Sequence, residues 1–582
     1  MNDRDAQADG APQAPARPAE DPQEVDRSAG WPPPVPKPPG PVRDRAADAT
    51  PRLGNFLARA AAVTASLTVA GALLGLVRDQ AIAQFYGAST DSDAFLIAWT
   101  VPEMAATLLI EDAMALLLVP AFSHAIARRA ADRARDPDPR TDPTRDAVRD
   151  LVAATLPRLF TALALATVLL IALAPQFVRV LAPGFADPEL AVDCTRLTAL
   201  TVLSFGITGY FSAALRAHGR FLPPAGVYVA YNTGIIATVL ALHTVWGVRA
   251  AAAGVAVGGL LMVLAQLPAF LRQVNHPTAA GQPGPRRRVP RQREPAPLIG
   301  FAVVAPIVLF AVSRQSQVLV ERFLASSLPG GAISHLNYAQ KVAQMPMVLS
   351  LMICTVTFPA VAKAMAEGNR ERARRRVEND LALAGLVVLL GTALILGYAP
   401  QIIEVLFQRG QFDAADTATT ATVMRVYAAG LLGHTLVGAL GRPFFSSGRP
   451  TWYPAAAMAV GLVVTVAAGT AAVGPWGVYG IAAANAAGIT TTALLLLYGL
   501  GSRVVSIHVP AISLALARLA VAAVAAAVAG RLASSLTPHS LTALAIGCLV
   551  VPAVFTVTGL AVRAPEVVHL LALTRQRIRH VR

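Results

Sequence analysis

The sequence predicts an all-α polytopic membrane protein with about fourteen transmembrane helices, and three observations predict it. Residues of the AVILMFWYC set make up 55% of the 582 positions. Charged residues make up only 14%, against about 25% in an ordinary soluble protein. Mean hydropathy is +0.53, and apolar runs of about twenty residues recur along almost the whole length, each long enough as a helix to cross a roughly 30 Å hydrocarbon core. Lipid offers no partner to an open sheet edge, so runs of this length are helices. The same composition excludes the roughly four soluble domains that length alone would allow.

The elements follow in order. Residues 1–54 form a tail whose first fifty positions hold eleven prolines, nine acids and six bases. Such a stretch buries too little apolar area to fold and is expected to be disordered. It has no short apolar core of a signal peptide, so the first hydrophobic segment is expected to act as the insertion signal. Fourteen apolar segments come next, at roughly 56–77, 93–120, 151–174, 194–215, 223–243, 250–271, 298–324, 335–361, 380–398, 417–440, 451–473, 477–500, 508–530 and 541–562. They group into an N-lobe of six helices (55–272), a basic linker (273–297), a C-lobe of six helices (298–500), two further helices (501–563) and a basic tail (564–582).

Charge sets the orientation. With this helix count, the loops on the side of the N-terminal tail hold 36 of the 49 Lys and Arg residues, and the opposite loops hold four: Arg179, Arg249, Arg409 and Arg531. Basic loops stay in the cytoplasm, so both termini are placed there, in the cytoplasmic membrane. The +15 net charge is thereby explained by topology, without nucleic acid. Cys194, Cys354 and Cys548 lie far apart in apolar runs, which supports neither a disulfide framework nor a zinc site. They are expected to be buried and inert, and no metal or cofactor is expected.

An internal repeat is visible. Val180-Leu181-Ala182-Pro183-Gly184-Phe185-Ala186-Asp187 precedes a helix that ends in Leu215-Arg216-Ala217-His218-Gly219-Arg220. Val405-Leu406-Phe407-Gln408-Arg409-Gly410-Gln411-Phe412-Asp413 precedes one that ends in Phe444-Phe445-Ser446-Ser447-Gly448-Arg449. Six helices separate the copies, so both face the same way. That is a parallel repeat about an axis normal to the membrane.

At these residues the chain resembles the MurJ/MviN family, the lipid II flippases of the MOP exporter superfamily. The likeness includes Gly75-Leu76-Val77-Arg78-Asp79, Phe85-Tyr86-Gly87-Ala88, Asp91-Ser92-Asp93-Ala94-Phe95 and Leu336-Asn337-Tyr338-Ala339, along with the repeated motifs above. It runs in order from about residue 55 to 560. The resemblance implies two six-helix lobes around a cationic cavity, with two C-terminal helices forming a lipid-facing groove. It also implies alternating access for a lipid-linked peptidoglycan precursor, with membrane lipids and cell-wall synthesis proteins as further partners.

Ionisable groups inside the bilayer mark the site, because each costs about 2.5–3.5 kcal/mol on insertion scales. A sugar-diphosphate head calls for Arg or Lys, and Arg can hold phosphate oxygens as a fork. The candidates for the head group are Arg78, Arg314, Arg322 and Lys341, and the acidic or gating candidates are Asp79, Asp93, Glu103, Glu111 and Glu321. Arg78 and Asp79 close the first helix, either as an interfacial pair or as cavity residues; the family aligns its cavity arginine with Arg78. Asp93 either caps helix 2 or serves the function. Asp93 and Glu111 are 18 residues apart, on one face of a straight helix, which Pro102 is expected to bend. Glu111 matches a family glutamate, with a structural ion pair as the other reading. Arg314, Gln317 and Glu321 form one polar stripe beside Arg322, and the Glu321-Arg322 pair serves either ion pairing or the ligand. Lys341 stands in the place of another family arginine.

Departures from the family pattern bear on the cavity. Ala72 replaces an arginine, and Pro102-Glu103-Met104-Ala105-Ala106-Thr107 replaces Pro-Asn-x-x-Arg-Arg, losing two cations and gaining an anion. Helix 11 lacks carboxylates and amides, so no sodium site is expected there. No G-x-x-x-x-G-K-[ST] loop occurs, which leaves an ion gradient, membrane potential or downstream consumption as the drive. Three alternatives remain: an exporter of drugs or another prenyl-linked glycan, a prenyl-phosphate enzyme, and a non-transporting cell-wall scaffold. The enzyme reading is the weakest, since Asp136, Asp138 and Asp142 lie in a Pro-rich loop without helical spacing.

Overall fold

The computed structural model describes residues 50–135, 146–275, 301–352, 354, 357, 367, 369–445, 451–503 and 507–568. The expected disordered tail, the loop with Asp136, Asp138 and Asp142, most of the basic linker and the C-terminal tail beyond 568 lie outside the described residues. The chain divides into two compact units, Met1–Arg59 and Ala60–Arg582, and the second holds all that follows except the start of the first helix, Thr50–Arg59. Among the described residues there are helices and turns and no strand.

The first half runs through α1 (Thr50–Tyr86), α2 (Thr90–Ala105), a π-helical segment (Ala106–Asp112), α3 (Ala113–Arg135), α4 (Ala147–Ala172), α5 (Ala174–Leu181), α6 (Pro188–Ala217), α7 (Leu222–Ala225), α8 (Val227–Trp246) and α9 (Arg249–Asn275). The second half runs through α10 (Phe301–Ala325), α11 (Ala332–Ala343), α12 (Arg370–Phe407), α13 (Ala414–Ala428), α14 (Leu431–Phe445) and α15 (Tyr453–Arg503). Two last helices, α16 (Val509–Ser534) and α17 (Ser540–Ala561), pack against α12. Small residues make that packing possible. A Cβ on Gly530 or Gly547 would strike the Tyr398 ring at 3.0 and 2.7 Å, so the backbones approach closely, as they do between helices in lipid.

The two halves repeat each other in detail. Asp187 and Asp413 cap α6 and α13 alike, with carboxylates accepting from Leu190 N at 3.0 Å and Asp416 N at 2.9 Å. Leu173 and Tyr398 interrupt the preceding helices with non-helical backbone angles, and each stands before an Ala-Pro-Gln sequence (174–176 and 399–401). The reason is local: proline lacks the N–H that would continue the ladder. Trp246-Gly247-Val248 and Trp476-Gly477-Val478 form a third matched pair. Gly247 has φ 54° and ψ −140°, and Gly477 has φ 52° and ψ −130°, a region open to glycine alone.

Each of these glycines turns one helix back on another. α15 is thus a single 51-residue helical stretch that folds over at Gly477. Its two arms lie so close that a Cβ on Gly488 would come within 2.5 Å of Gly461 O. Gly477→Ala is expected to lower the thermal unfolding midpoint of the purified protein, at a cost of about 1–3 kcal/mol. Gly474→Ala, where an added Cβ meets nothing within 4 Å, is expected to leave it unchanged. Equal midpoints for the two variants would contradict this account of the turn.

Nine helices among the described residues are long and apolar enough to cross a membrane, or ten if Ala414–Ala428 and Leu431–Gly441, bent by 47°, form one span. The expected segments outnumber these spans for visible reasons. Two of them share the folded-over α15. The segment expected at 335–361 is broken after α11, at Gln344. The segment expected at 93–120 is one of the nine, as Thr90–Ile110, and it runs into the π-helical stretch that follows Pro102, where the Ala106 N–H reaches back to Glu103 O and Pro102 O. That stretch also removes the expected shared face of positions 93 and 111, because the regular helical phase is lost between them. Glu111 lies in it, and its side chain is outside the described residues. Of the three cysteines, Cys194 and Cys354 are buried, whereas Cys548 is exposed on α17.

Candidate functional site

α1 runs on to Tyr86 instead of closing near residue 77, so Arg78 and Asp79 sit two turns inside it, each 8% exposed. Arg78 donates through Nε and Nη2 to Asp79 Oδ1 at 2.9 and 2.7 Å, and through Nη1 to Asn232 Oδ1 of α8 at 3.0 Å. Asn232 is itself held, because its Nδ2 donates to Gly71 O at 3.0 Å and Tyr228 O at 2.9 Å. The other Asp79 oxygen takes Lys341 Nζ of α11 at 3.2 Å. Both cations lie over the Trp99 ring of α2, with Arg78 Cζ 4.5 Å and Lys341 Nζ 5.6 Å from its centroid, an arrangement favoured by the negative face of the ring. One carboxylate and one indole thereby join the two halves of the chain.

The next turn of α2 continues the row. Arg322 of α10, 3% exposed, donates through Nη1 to Thr100 Oγ1. Its Nη2 pairs with Glu103 Oε2 at 2.9 Å. Glu321 faces the other way and accepts from Asn485 Nδ2 of α15 at 2.6 Å, while Asn485 Oδ1 lies 3.1 Å from His434 Nε2 of α14. Arg314 stands two turns earlier on α10, is exposed, and acts electrostatically on His434. The structure therefore gathers Arg78, Lys341, Asp79, Arg322 and Glu103 along α2 and leaves Arg314 apart. The three cations Arg78, Arg322 and Lys341 thus meet two carboxylates, Asp79 and Glu103, and the row keeps one positive charge in excess. The cavity beside it, lined by Glu321, Arg322, Asn337 and Gln340, is about 10 Å³, the room of one water. No glycan head enters there in this arrangement.

Asp93 holds the two halves together at the end of the bundle where α1 passes into α2, here termed the distal face. It is 2% exposed. Its Oδ2 accepts from Gly331 N at 2.8 Å, and its Oδ1 accepts from Ser334 N at 2.7 Å and Ser334 Oγ at 2.6 Å. Asp93 thus caps α11 across the interface. The N-terminus of its own helix is capped by Ser89 and Ser92 instead. The distal seal continues with Gln411 N donating to Gln84 O at 2.9 Å and Ala88 N to Asp416 Oδ2 at 3.3 Å. A Cβ on Gly331 would fall 2.4 Å from Ala88 O, so only glycine permits this approach.

The sequence did not point to Trp99, Thr100, Asn232, Asn485 or His434. The signal for the last three was present, since a lone amide or imidazole inside an apolar helix needs an internal partner. Trp99 gave none, because an aromatic within a span is ordinary core.

Two like-built helical lobes, joined across paired charges deep in an apolar bundle, define a membrane transporter that works by moving one lobe against the other. The chain belongs to the MurJ family: the model described as Lipid II flippase MurJ matches residues 82–550. It is similar to the Lipid II flippase MurJ of Burkholderia cenocepacia, with 28% identity over 398 residues, 67% of this chain and 73% of that one. Among solved structures, the Lipid II flippase MurJ in an inward closed conformation shares the fold with a TM-score of 0.65 at 16% identity, over 85% of this chain and 97% of that one. An inward-facing multidrug resistance MATE transporter of the MOP superfamily gives 0.56 at 14% identity, over 78% and 99% of the two chains. The family is one of transporters, not of catalytic enzymes.

Proposed function

We propose that the chain carries lipid-linked peptidoglycan precursor from the inner to the outer leaflet of the cytoplasmic membrane by alternating access. The observation that carries this reading is the Arg78–Asp79–Lys341 cluster, which unites both lobes directly beneath a sealed distal face. The excess of basic residues in alternate loops, 36 against four, supports cytoplasmic termini and an outward-facing distal side. The lobes are residues 55–272 and 298–500, joined by a basic linker and followed by a two-helix segment. In the sealed state the head group approaches from the cytoplasmic side. Its diphosphate exchanges for Asp79 and Glu103 as the partner of Arg78, Lys341 and Arg322, and release follows when the distal seal parts. Arg314, nearer the cytoplasmic end of α10, meets the head first.

Glu103 favours a second reading, in which the cargo is another prenyl-linked glycan of lower charge. A carboxylate set against Arg322 weakens the pull on a diphosphate. Complementation separates the two: the resident flippase of a bacterial host is depleted, this chain is expressed, and lipid II accessibility at the outer leaflet is followed. Rescue is expected. Absence of rescue at normal membrane levels would exclude lipid II as the cargo. Asn232→Ala, which frees one arm of Arg78, is expected to slow outer-leaflet appearance about tenfold, the effect of losing one charge-assisted hydrogen bond. Arg128→Ala, far from the site on α3, is expected to leave the rate unchanged.

A further inference from the structure

Two arginines converge on one stretch of α12 toward the distal face, away from the site between the lobes. Arg425 lies in the last turn of α13, half-buried in a membrane span, where its Nε donates to the backbone carbonyl of Leu396 on α12 at 3.2 Å. Arg531 lies in the last turn of α16 and is exposed. Its backbone nitrogen is 3.4 Å from where a Cβ on Gly397 would be. The two residues are thus anchored against consecutive positions of α12, and their charges act on each other. Among the described residues neither guanidinium has a carboxylate partner. Glu404, further along α12, is taken by Ser540 Oγ at 2.6 Å.

The fold does not require this. Counted from the matched caps Asp187 and Asp413, the place of Arg425 in the first lobe is held by Ala199, with Leu200 beside it. The first lobe also has no counterpart of α16. A cation therefore appears in α13 only where the extra helix brings a second one to it. Two like charges at a membrane surface repel, and each is costly within lipid. An anion between them removes both penalties, and a guanidinium fork matches phosphate oxygens better than any other common group.

We infer that Arg425 and Arg531 form a binding site for a phosphate-bearing lipid head group of net negative charge at the distal membrane surface. The phosphate lies between the two side chains, over the Leu396–Gly397 stretch of α12, and the acyl chains lie along the exposed apolar side chains of α16, such as Val524, Val528 and Leu532.

The test uses the full chain in detergent, titrated with dioctanoyl phosphatidylglycerol or dioctanoyl phosphatidylcholine and read by native mass spectrometry. Retention of phosphatidylglycerol over phosphatidylcholine is expected. Arg531→Gln, an exposed change that leaves packing intact, and Arg425→Gln should each weaken retention roughly tenfold or more, as loss of a charge-assisted contact does. Arg425→Lys should keep most of it, and Arg409→Gln, elsewhere on the distal face, should keep all. Equal retention of the two lipids, or unchanged retention in the double Arg425→Gln/Arg531→Gln variant, would overturn the inference. Displacement of the lipid by inorganic pyrophosphate confirms that phosphate is the recognised group. Binding of pyrophosphate without any lipid retention would reassign the site to a free phosphate and overturn the lipid assignment.

Discussion

Arg78→Ala is expected to abolish outer-leaflet delivery while the protein still reaches the membrane in normal amounts. Arg78 makes three side-chain hydrogen bonds, two to Asp79 and one to Asn232, and it stacks on Trp99. Its removal leaves Asp79 with Lys341 alone and Asn232 with an unmet acceptor. Losing one partner of a buried ion pair costs about 3–5 kcal/mol, which would show as a lower unfolding midpoint. Lys341 softens that loss of stability, because it still neutralises Asp79 at 3.2 Å. Transport has no such substitute, since Lys341 cannot present a fork. Lys341→Ala should also fail, whereas Lys341→Arg should work. Arg78→Ala with normal delivery of lipid II, measured in the same cells, would remove Arg78 from the mechanism.

The second large effect is expected from Asp93→Ala. One carboxylate accepts three hydrogen bonds from the start of α11, and hydrogen bonds to a charged group contribute about 1.5–3 kcal/mol each. Loss of even one or two would shift the balance between sealed and open distal faces by roughly two orders of magnitude, at 1.4 kcal/mol per factor of ten. Hydrogen–deuterium exchange reads this directly. The amides of Gly331 and Ser334 should exchange much faster in Asp93→Ala, while those in the middle of α9 stay protected. Unaltered exchange at 331–334 would mean that the distal seal does not depend on Asp93.

Much of this was legible in the sequence because lipid is an exacting solvent. Hydropathy and loop charge predicted the helical class, and the spaced motifs around Asp187 and Asp413 predicted the twofold construction that their matching caps display. Insertion cost and resemblance single out Arg78, Asp79, Arg322 and Lys341 in the sequence, and the structure brings them together. Partner choice was not legible. Pairing Glu103 with Arg322, or Asp93 with the start of α11, depends on how α2 meets the second lobe, and no local pattern encodes that crossing. The π-helical stretch was missed for a related reason. Pro102 announces a break, but the form the break takes is decided by packing around it, including the Gly209 contact with Leu109 O.

The positive charge left over along α2 has a consequence for the transport cycle. With Arg78, Lys341 and Arg322 matched only by Asp79 and Glu103, the unloaded row keeps one positive charge. A loaded one carries the negative charge of its cargo. A field acts on net charge moved, about 2.3 kcal/mol per elementary charge per 100 mV. An inside-negative field therefore assists the outward stroke once the cargo's negative charge outweighs that excess, and it also favours the return of the unloaded, positive row, which gives the cycle a direction.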